Sequence, residues 1–315
     1  MHKLIVDSRS AAAIGIAINF QVQLPETLYL PHDACCYCTD VAISHTFRSI
    51  EGLAAVESCN NHFFWFEQTY DQGTKLVLNR ALLTSSNYSP TTLAQELKTQ
   101  MNAASIFGSS YETVYNVGTN SISITLNYQH PNPMFQDAVT FALINEDVLD
   151  DPDFQSFAST RLQQGPQNLP YFITWQNPQD CFGVLGNARG SSVNQPWSAI
   201  KADLLNNSLS QTQTTGAIDV RHCTNLYLHS SALSNNRILG PSGSRSVICR
   251  IPITQLPGGV ERREHSSHPL DFIPIGGRTL SVLDFSVRNS FNRLVTLNGG
   301  HVSFELIFAK TPPLV

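Results

Sequence analysis

The chain has 315 residues, a formal net charge of −5 and a pI near 6.0, with charged side chains making up 14% of it. A length of this order buries roughly three quarters of its unfolded surface, so a core forms without staples of metal or disulfide, and the acidic balance excludes general attraction to a polyanion. Scarce charge excludes a long coiled coil, and no apolar run reaches the ~18 residues that span a bilayer.

In chain order, "AAAIGIAI" (Ala11 to Ile18) has the apolar texture of a signal-peptide core. Asp7 precedes it and a strand pattern follows at once, so a cytosolic or nuclear chain is expected, and the sequons at Asn87 and Asn206 count only in a secreted one. "NFQVQL" then puts Phe20, Val22 and Leu24 on one face and Asn19, Gln21 and Gln23 on the other. That two-residue period predicts a strand wet on one side.

"ACCYC" (Ala34 to Cys38) holds three of the seven cysteines. Steps of two from Cys35 give one face of Cys35, Tyr37, Thr39, Val41, Ile43, His45 and Phe47, and another of Cys36, Cys38, Asp40, Ala42, Ser44 and Thr46. Neighbouring thiols in a strand point to opposite faces and cannot share a tetrahedral ion, so a strand with Cys35 in the core is expected here, not a metal nest or redox pair. The odd total, in a chain too long to need disulfides, predicts reduced thiols.

Strands follow at "HFFWFEQ" (His62 to Gln68) and "KLVLNRAL" (Lys75 to Leu82). A helix is marked by Ser89 as cap, Pro90 in its first position and Leu93, Leu97 and Met101 along one stripe. Then come "ETVYNV" (Glu112 to Val117), "SISITLNY", with Ile122, Ile124, Leu126 and Tyr128 on one face, and "AVTFALI" (Ala138 to Ile144). Weaker helices are expected from Asp153 to Gln163 and from Pro196, and a strand at "YFITWQ" (Tyr171 to Gln176), within a stretch broken by Pro, Gly, Asn and Gln. The closing strands are "AIDVRHCTNLYLHS" (Ala217 to Ser230), "SRSVICRIPI" (Ser244 to Ile253), "LSVLDFSVRN" (Leu280 to Asn289) and "HVSFELIFAK" (His301 to Lys310).

The expected fold class is all-β: a jelly-roll-type β-sandwich with a second β-rich subdomain and one or two short helices. The expected division is an N-terminal β-rich domain over residues 1–150, with its helix at about 89–104, an irregular connection over 151–215, and a C-terminal sandwich portion over 216–315.

Motifs for chemistry are weak. Asp219, Arg221, His222 and Cys223 crowd one segment, but strand neighbours face opposite ways, so His222 does not activate Cys223; His229 and His301 stay open as partners. His265 and His268 lack a third ligand, and "ERREH" (Glu261 to His265) mixes charge signs as a solvated loop does. "GVLGNARG" (Gly183 to Gly190) lacks the ending of a phosphate loop. No catalytic, cofactor-binding or metal-ligating residue is assigned, and no cofactor is expected. Trp65, Trp175, Trp197 and the rings from Phe63 to Tyr70 suit a core better than a sugar cleft.

"VDSRS", "INFQVQLPETLYLP", "VAISHTF", "NHFFWFE" and "LTSSNYSPTTLAQELKTQMNAAS" resemble an arrangement in structural proteins of large and mid-sized eukaryotic DNA viruses. Later, "IDVRHCTNLYLHSSALSNNRILGPSGSRSVICRIPI" and "VTLNGGHVSFELIF" resemble the closing portion of capsid-associated proteins in Polinton-like and adintovirus-like elements. The match spans about two thirds of the chain, and its "GPSG" loop carries fewer acidic groups than the pattern. The resemblance implies a minor, penton-like capsid protein on a jelly roll, located in the virion after assembly in the host cytoplasm or nucleus. It implies copies of itself and a major capsid protein as partners, with no direct nucleic-acid binding and no membrane span. A small double jelly-roll major capsid protein, a glycan-binding spike or fibre module using Phe63 to Tyr70, and a Cys–His hydrolase are the rival readings.

Overall fold

The computed structural model describes residues 2–13, 18–52, 60–69, 75–105, 109–128, 139–161, 181, 183–186, 195–206, 209–221, 223–235, 238–264 and 271–310. They form two compact units, the first from Met1–Arg48 and Cys223–Val315, the second chiefly from Cys59–His222. The first unit opens with β1 (His2–Asp7), β2 (Ala12–Ala13), β3 (Asn19–Tyr29) and β4 (Ala34–Ser44). The second then supplies β5 (His62–Thr69), β6 (Lys75–Leu82), α1 (Pro90–Ala104), β7 (Ser110–Asn116), β8 (Ser121–Asn127) and β9 (Thr140–Ile144). It continues with α2 (Glu146–Leu149), α3 (Pro152–Arg161), α4 (Trp197–Asn206) and β10 (Thr212–Thr214). The chain returns to the first unit for β11 (Asn225–His229), β12 (Val247–Pro252), β13 (Val260–Arg263), β14 (Ile273–Pro274), β15 (Thr279–Arg288) and β16 (Val302–Lys310).

The first unit is a jelly roll. One sheet runs β1-β16-β4-β13, with β14 also on β4, and the other runs β12-β11-β15-β3-β2. Numbering its eight main strands along the chain, the sheets read 1-8-3-6 and 5-4-7-2, so the chain changes sheet at almost every step, as two nested Greek keys require. All pairings are antiparallel, and inward side chains such as Phe20, Leu226, Leu283, Phe285, Phe304 and Leu306 fill the space between the sheets. The N-terminal segment is part of this frame: β1 pairs with β16 from His2↔Phe308 to Asp7↔Ser303. Asp7 secures its end by accepting from the Arg9 backbone at 2.9 Å and from its guanidinium at 2.6 Å.

The division expected at 150 and 215 differs from these units. Residues 1–48 pair with strands more than 170 residues downstream, because a roll closes its first strands on its last. The segment expected to be irregular carries α3, α4 and β10. "AIDVRHCTNLYLHS" becomes strand only from Asn225, and "YFITWQ" lies outside the described residues.

Strand β4 departs from a single two-residue period. Cys36 and Cys38 belong to the sandwich core, as do Val41 and Ile43, so the inward parity switches between them. The cause is a bulge: Ser303 pairs with Ala42 but Glu305 with Thr39, and Asp40 adopts φ 49°, a left-handed backbone that Asp tolerates better than most residues. Cys35 is 1% exposed on the opposite face, where Tyr37 packs on Phe272, ring centroids 4.8 Å apart. Asp40→Gly is therefore expected to keep or raise stability, whereas Asp40→Val lowers it by about 1–2 kcal/mol, readable in urea denaturation.

In the second unit two three-stranded sheets, β6-β5-β9 and β10-β8-β7, enclose a core with α1. Helix α1 forms as its local signals dictate: Ser89 accepts from the Thr92 backbone at 3.2 Å, Thr92 accepts from the Ser89 backbone at 2.9 Å, and Leu93, Ala94, Leu97 and Met101 face inward. Strand β5 is apolar on both sides because both are covered. Phe63 and Trp65 enter the core shared with α1, while Phe64 and Phe66 pack with Phe154, Trp197, Ile200 and Leu204. Beyond Trp65 the buried Glu67 carboxylate accepts from Tyr111 Oη, from Trp65 Nε1 at 3.2 Å and from Ser105 Oγ at 3.3 Å.

Candidate interaction surfaces

Among the described residues, Cys223, His229 and His301 each hydrogen-bond to other partners than one another. Cys223 Sγ donates to the Asn225 carbonyl at 3.2 Å, and burial pushes its pKa up to about 12. His229 Nδ1 instead meets Ser246 Oγ at 2.9 Å, and His301 Nδ1 meets Ser44 Oγ at 3.4 Å. Burial first, and then the nearby Arg288 charge, hold His229 down to about 4, so it is a neutral, structural ring near neutrality. His222, His265 and His268 lie outside the described residues. Among the described residues no three His, Cys, Asp or Glu side chains group as a metal site, and no helix is long and apolar enough to cross a membrane.

The rings from Phe63 to Phe66, expected to be core, are core, and Tyr70 lies outside the described residues. Phe63, Phe64, Trp65 and Phe66 are each at most 1% exposed, and Trp197 is 2% exposed. A sugar cleft built from Phe63 to Phe66 would need rings in solvent, so that rival reading loses its residues. Trp175 lies outside the described residues.

What remains on the second unit is a sheet face rich in hydroxyl side chains. On the outer face of β10-β8-β7, cross-strand rows run Thr212, Thr125, Glu112 and then Thr214, Ser123, Val114. Hydroxyls meet along these rows, Ser123 with Thr214 at 3.5 Å and Thr125 with Thr212 at 3.4 Å, while Asn116 Nδ2 donates to Ser123 Oγ at 2.7 Å. A shallow groove of about 590 Å³ crosses this face between Asn116, Ser123 and Thr214. Among the described strands the sheets of the first unit end in β1 and β13 and in β12 and β2, with Ile5 on β1 exposed at 71%. An unpaired strand edge offers backbone donors and acceptors to a neighbouring chain, and hydroxyl faces pack against a neighbour without stranding charge. Sequence periodicity locates such faces but gives no sign of which strands become edges.

A second opening lies beside β12 in the first unit, a cleft of about 430 Å³ lined by Tyr227, Leu239, Cys249, Arg250, Arg263 and Asp271. Arg263 reaches Asp271 at 3.4 Å across it.

No family model matches the chain, and no curated protein matches it. Among solved structures, the selenomethionine-labelled penton protein of mavirus is similar over 98% of this chain and 98% of its own, at 9% identity and a TM-score of 0.42. A chain of the Sputnik virophage, solved by cryo-EM, is similar over 98% of both chains at 11% identity and a TM-score of 0.38. The jelly-roll assignment rests on strand order and register.

Proposed function

We propose that the chain is a structural subunit of an icosahedral viral shell, a minor vertex protein that works by packing, without catalysis. The observation that carries this reading is the complete eight-strand roll of the first unit, a sandwich whose two sheets end in strands able to meet a neighbouring chain. The resemblance of its terminal segments to penton-like proteins supports the same role. Its partners are copies of itself and a more numerous shell subunit, its place is the virion, and assembly occurs in the host cytoplasm or nucleus. The net charge of −5 argues against gripping the genome.

The double-roll alternative is less well supported, since the described strands of the second unit form two three-stranded sheets with helices, not a second eight-strand roll. Cyclic closure at a vertex requires a five-membered ring. Native mass spectrometry with negative-stain imaging of the purified chain is expected to show pentamers, and particles to contain far fewer copies of it than of the main shell protein. A trimer in solution, or parity of copy number in particles, overturns the vertex assignment.

A further inference from the structure

We propose that copies of the chain join edge to edge, β1 of one copy pairing antiparallel with β13 of the next, so that one sheet of the jelly roll runs on from copy to copy. Among the described strands that sheet ends in β1 on one side and in β13 on the other, each with a strand neighbour on one side only. An unpaired edge keeps a row of backbone N–H and C=O groups ready for a further strand. Direction permits the joint. β1 runs antiparallel to β16, β16 to β4 and β4 to β13, so β1 and β13 are themselves antiparallel, and copies set side by side in one orientation extend the same ladder.

The side chains select one register. Residues directly opposite in a ladder share a face, and the buried Val6 and Glu261, opposite Phe304 and Ile43, mark the inner one. Lys3, Ile5 and Asp7 therefore lie on the outer face of β1, and Val260 and Arg262 on that of β13, with Glu264 next in the same alternation. With outer face continuing outer face, Lys3 falls opposite Glu264 of the next copy, Ile5 opposite Arg262 and Asp7 opposite Val260, diagonal to Arg262. This register sets each outer charge beside one of opposite sign and covers Ile5, 71% exposed, and Val260, 47% exposed. A shift of two residues one way sets Lys3 against Arg262, and the other way sets Ile5 against Glu264. Lys3 and Asp7 are held on their face by Glu305 and Arg9, each 2.6 Å away, whereas Arg262 and Glu264 have no ion-pair partner among the described residues. Exposed pairs of this kind fix register more than they add affinity.

Joining two different edges is a heterologous contact, which propagates around a ring when the rotation closes, whereas pairing β1 with a second β1 stops at two copies. That two-fold alternative sets Lys3 against Asp7 and Ile5 against Ile5, but leaves Val260, Arg262 and Glu264 exposed and without a role. The edge at β13 is also held in position: the buried Glu261 carboxylate accepts from the Thr254 backbone at 2.8 Å and the Gln255 backbone at 2.6 Å, fixing the turn that leads into the strand. The inference rests on the proposal that copies of the chain close a ring at a vertex, and names the two strands that join them.

The test places Ile5→Cys in one preparation of the full-length chain and Arg262→Cys in another, oxidises them mildly alone and mixed, and reads covalent species by non-reducing electrophoresis. Directly opposite strand residues lie about 4.5–5.5 Å apart at Cα, within the span of a disulfide. The expected result is covalent dimers in the mixture alone, a ladder that stops at five copies when both substitutions share one chain, and about tenfold less product when Val260→Cys replaces Arg262→Cys. Dimers from Ile5→Cys by itself overturn the proposal in favour of the two-fold pairing. Pentamers that never cross-link overturn it and leave the vertex reading standing, while a ladder that stops at three upholds the pairing and overturns the vertex reading. A chain that stays monomeric and never cross-links overturns both. Hydrogen exchange on the unsubstituted chain decides the matter where a variant fails to fold: amides of β1 and β13 are expected to slow about tenfold or more as oligomers form, and unchanged exchange in both strands of the oligomer sinks the pairing.

Discussion

Trp65→Ala lowers the stability of the second unit by about 3–5 kcal/mol, the cost of emptying a large, fully enclosed aromatic site. Trp65 is 0% exposed and lies edge-on to Tyr111, with ring centroids 5.9 Å apart, and close to Phe63 at 5.7 Å. Its Nε1 also donates to Tyr111 Oη at 2.9 Å and to Glu67 Oε1 at 3.2 Å, so truncation removes a donor from a carboxylate that is itself 0% exposed. A charge buried there depends on those donors, because desolvation costs far more than any single bond returns. The same enclosure raises the Tyr111 pKa: burial acts first, and the Glu67 charge adds to it. Trp65→Phe separates the two contributions, keeping most of the ring volume while losing the N–H, with an expected loss of about 1–3 kcal/mol. Urea denaturation followed by far-UV circular dichroism reads both; a Trp65→Ala midpoint equal to that of the unsubstituted chain would refute the packing described.

Glu261→Ala is expected to cost the first unit about 3–4 kcal/mol, because a buried carboxylate organises the turn before β13. Its oxygens accept from the Thr254 backbone at 2.8 Å, the Thr254 hydroxyl at 2.9 Å and the Gln255 backbone at 2.6 Å, all around a side chain that is 0% exposed. His45 Nδ1 lies 3.5 Å from Glu261 Oε1 and 2.8 Å from the Gln255 carbonyl, tying the end of β4 to the same turn. Removing the carboxylate takes the shared acceptor from the Thr254 and Gln255 N–H groups and from the Thr254 hydroxyl, and so releases the turn. Limited proteolysis is expected to cut the variant between Thr254 and Gly259 well before the unsubstituted chain, and equal rates would show that Glu261 does not hold the turn. The sequence reading of "ERREH" as a solvated loop fails at this residue: β13 covers Glu261 through Val260–Arg263 pairing with Val41–Ser44.

Features with local causes were legible from the residues. Helix α1 needs only Ser89, Pro90 and the Leu93, Leu97, Met101 stripe, all within one segment, and the structure follows them to within a residue. The alternation of "SISITLNY" likewise marks the buried Ile122, Ile124 and Leu126 of β8. What escaped has causes elsewhere in the chain. The inward face of β4 depends on where β16 meets it, because one extra residue at Asp40 reverses the parity. The unit boundaries follow from strand pairings that no local pattern encodes.

The interleaving of the two units sets an order of events at the ribosome. Strand β4 is made well before its principal neighbour β16, and β3 likewise waits for β15. The second unit, contiguous between them, is complete while those early strands still lack partners. A nascent chain therefore carries apolar, thiol-bearing strands uncovered until β15 and β16 have been made, and a product that stops before Val302 deprives both β1 and β4 of a partner strand. Premature termination is thus expected to yield aggregates more readily than a smaller folded protein.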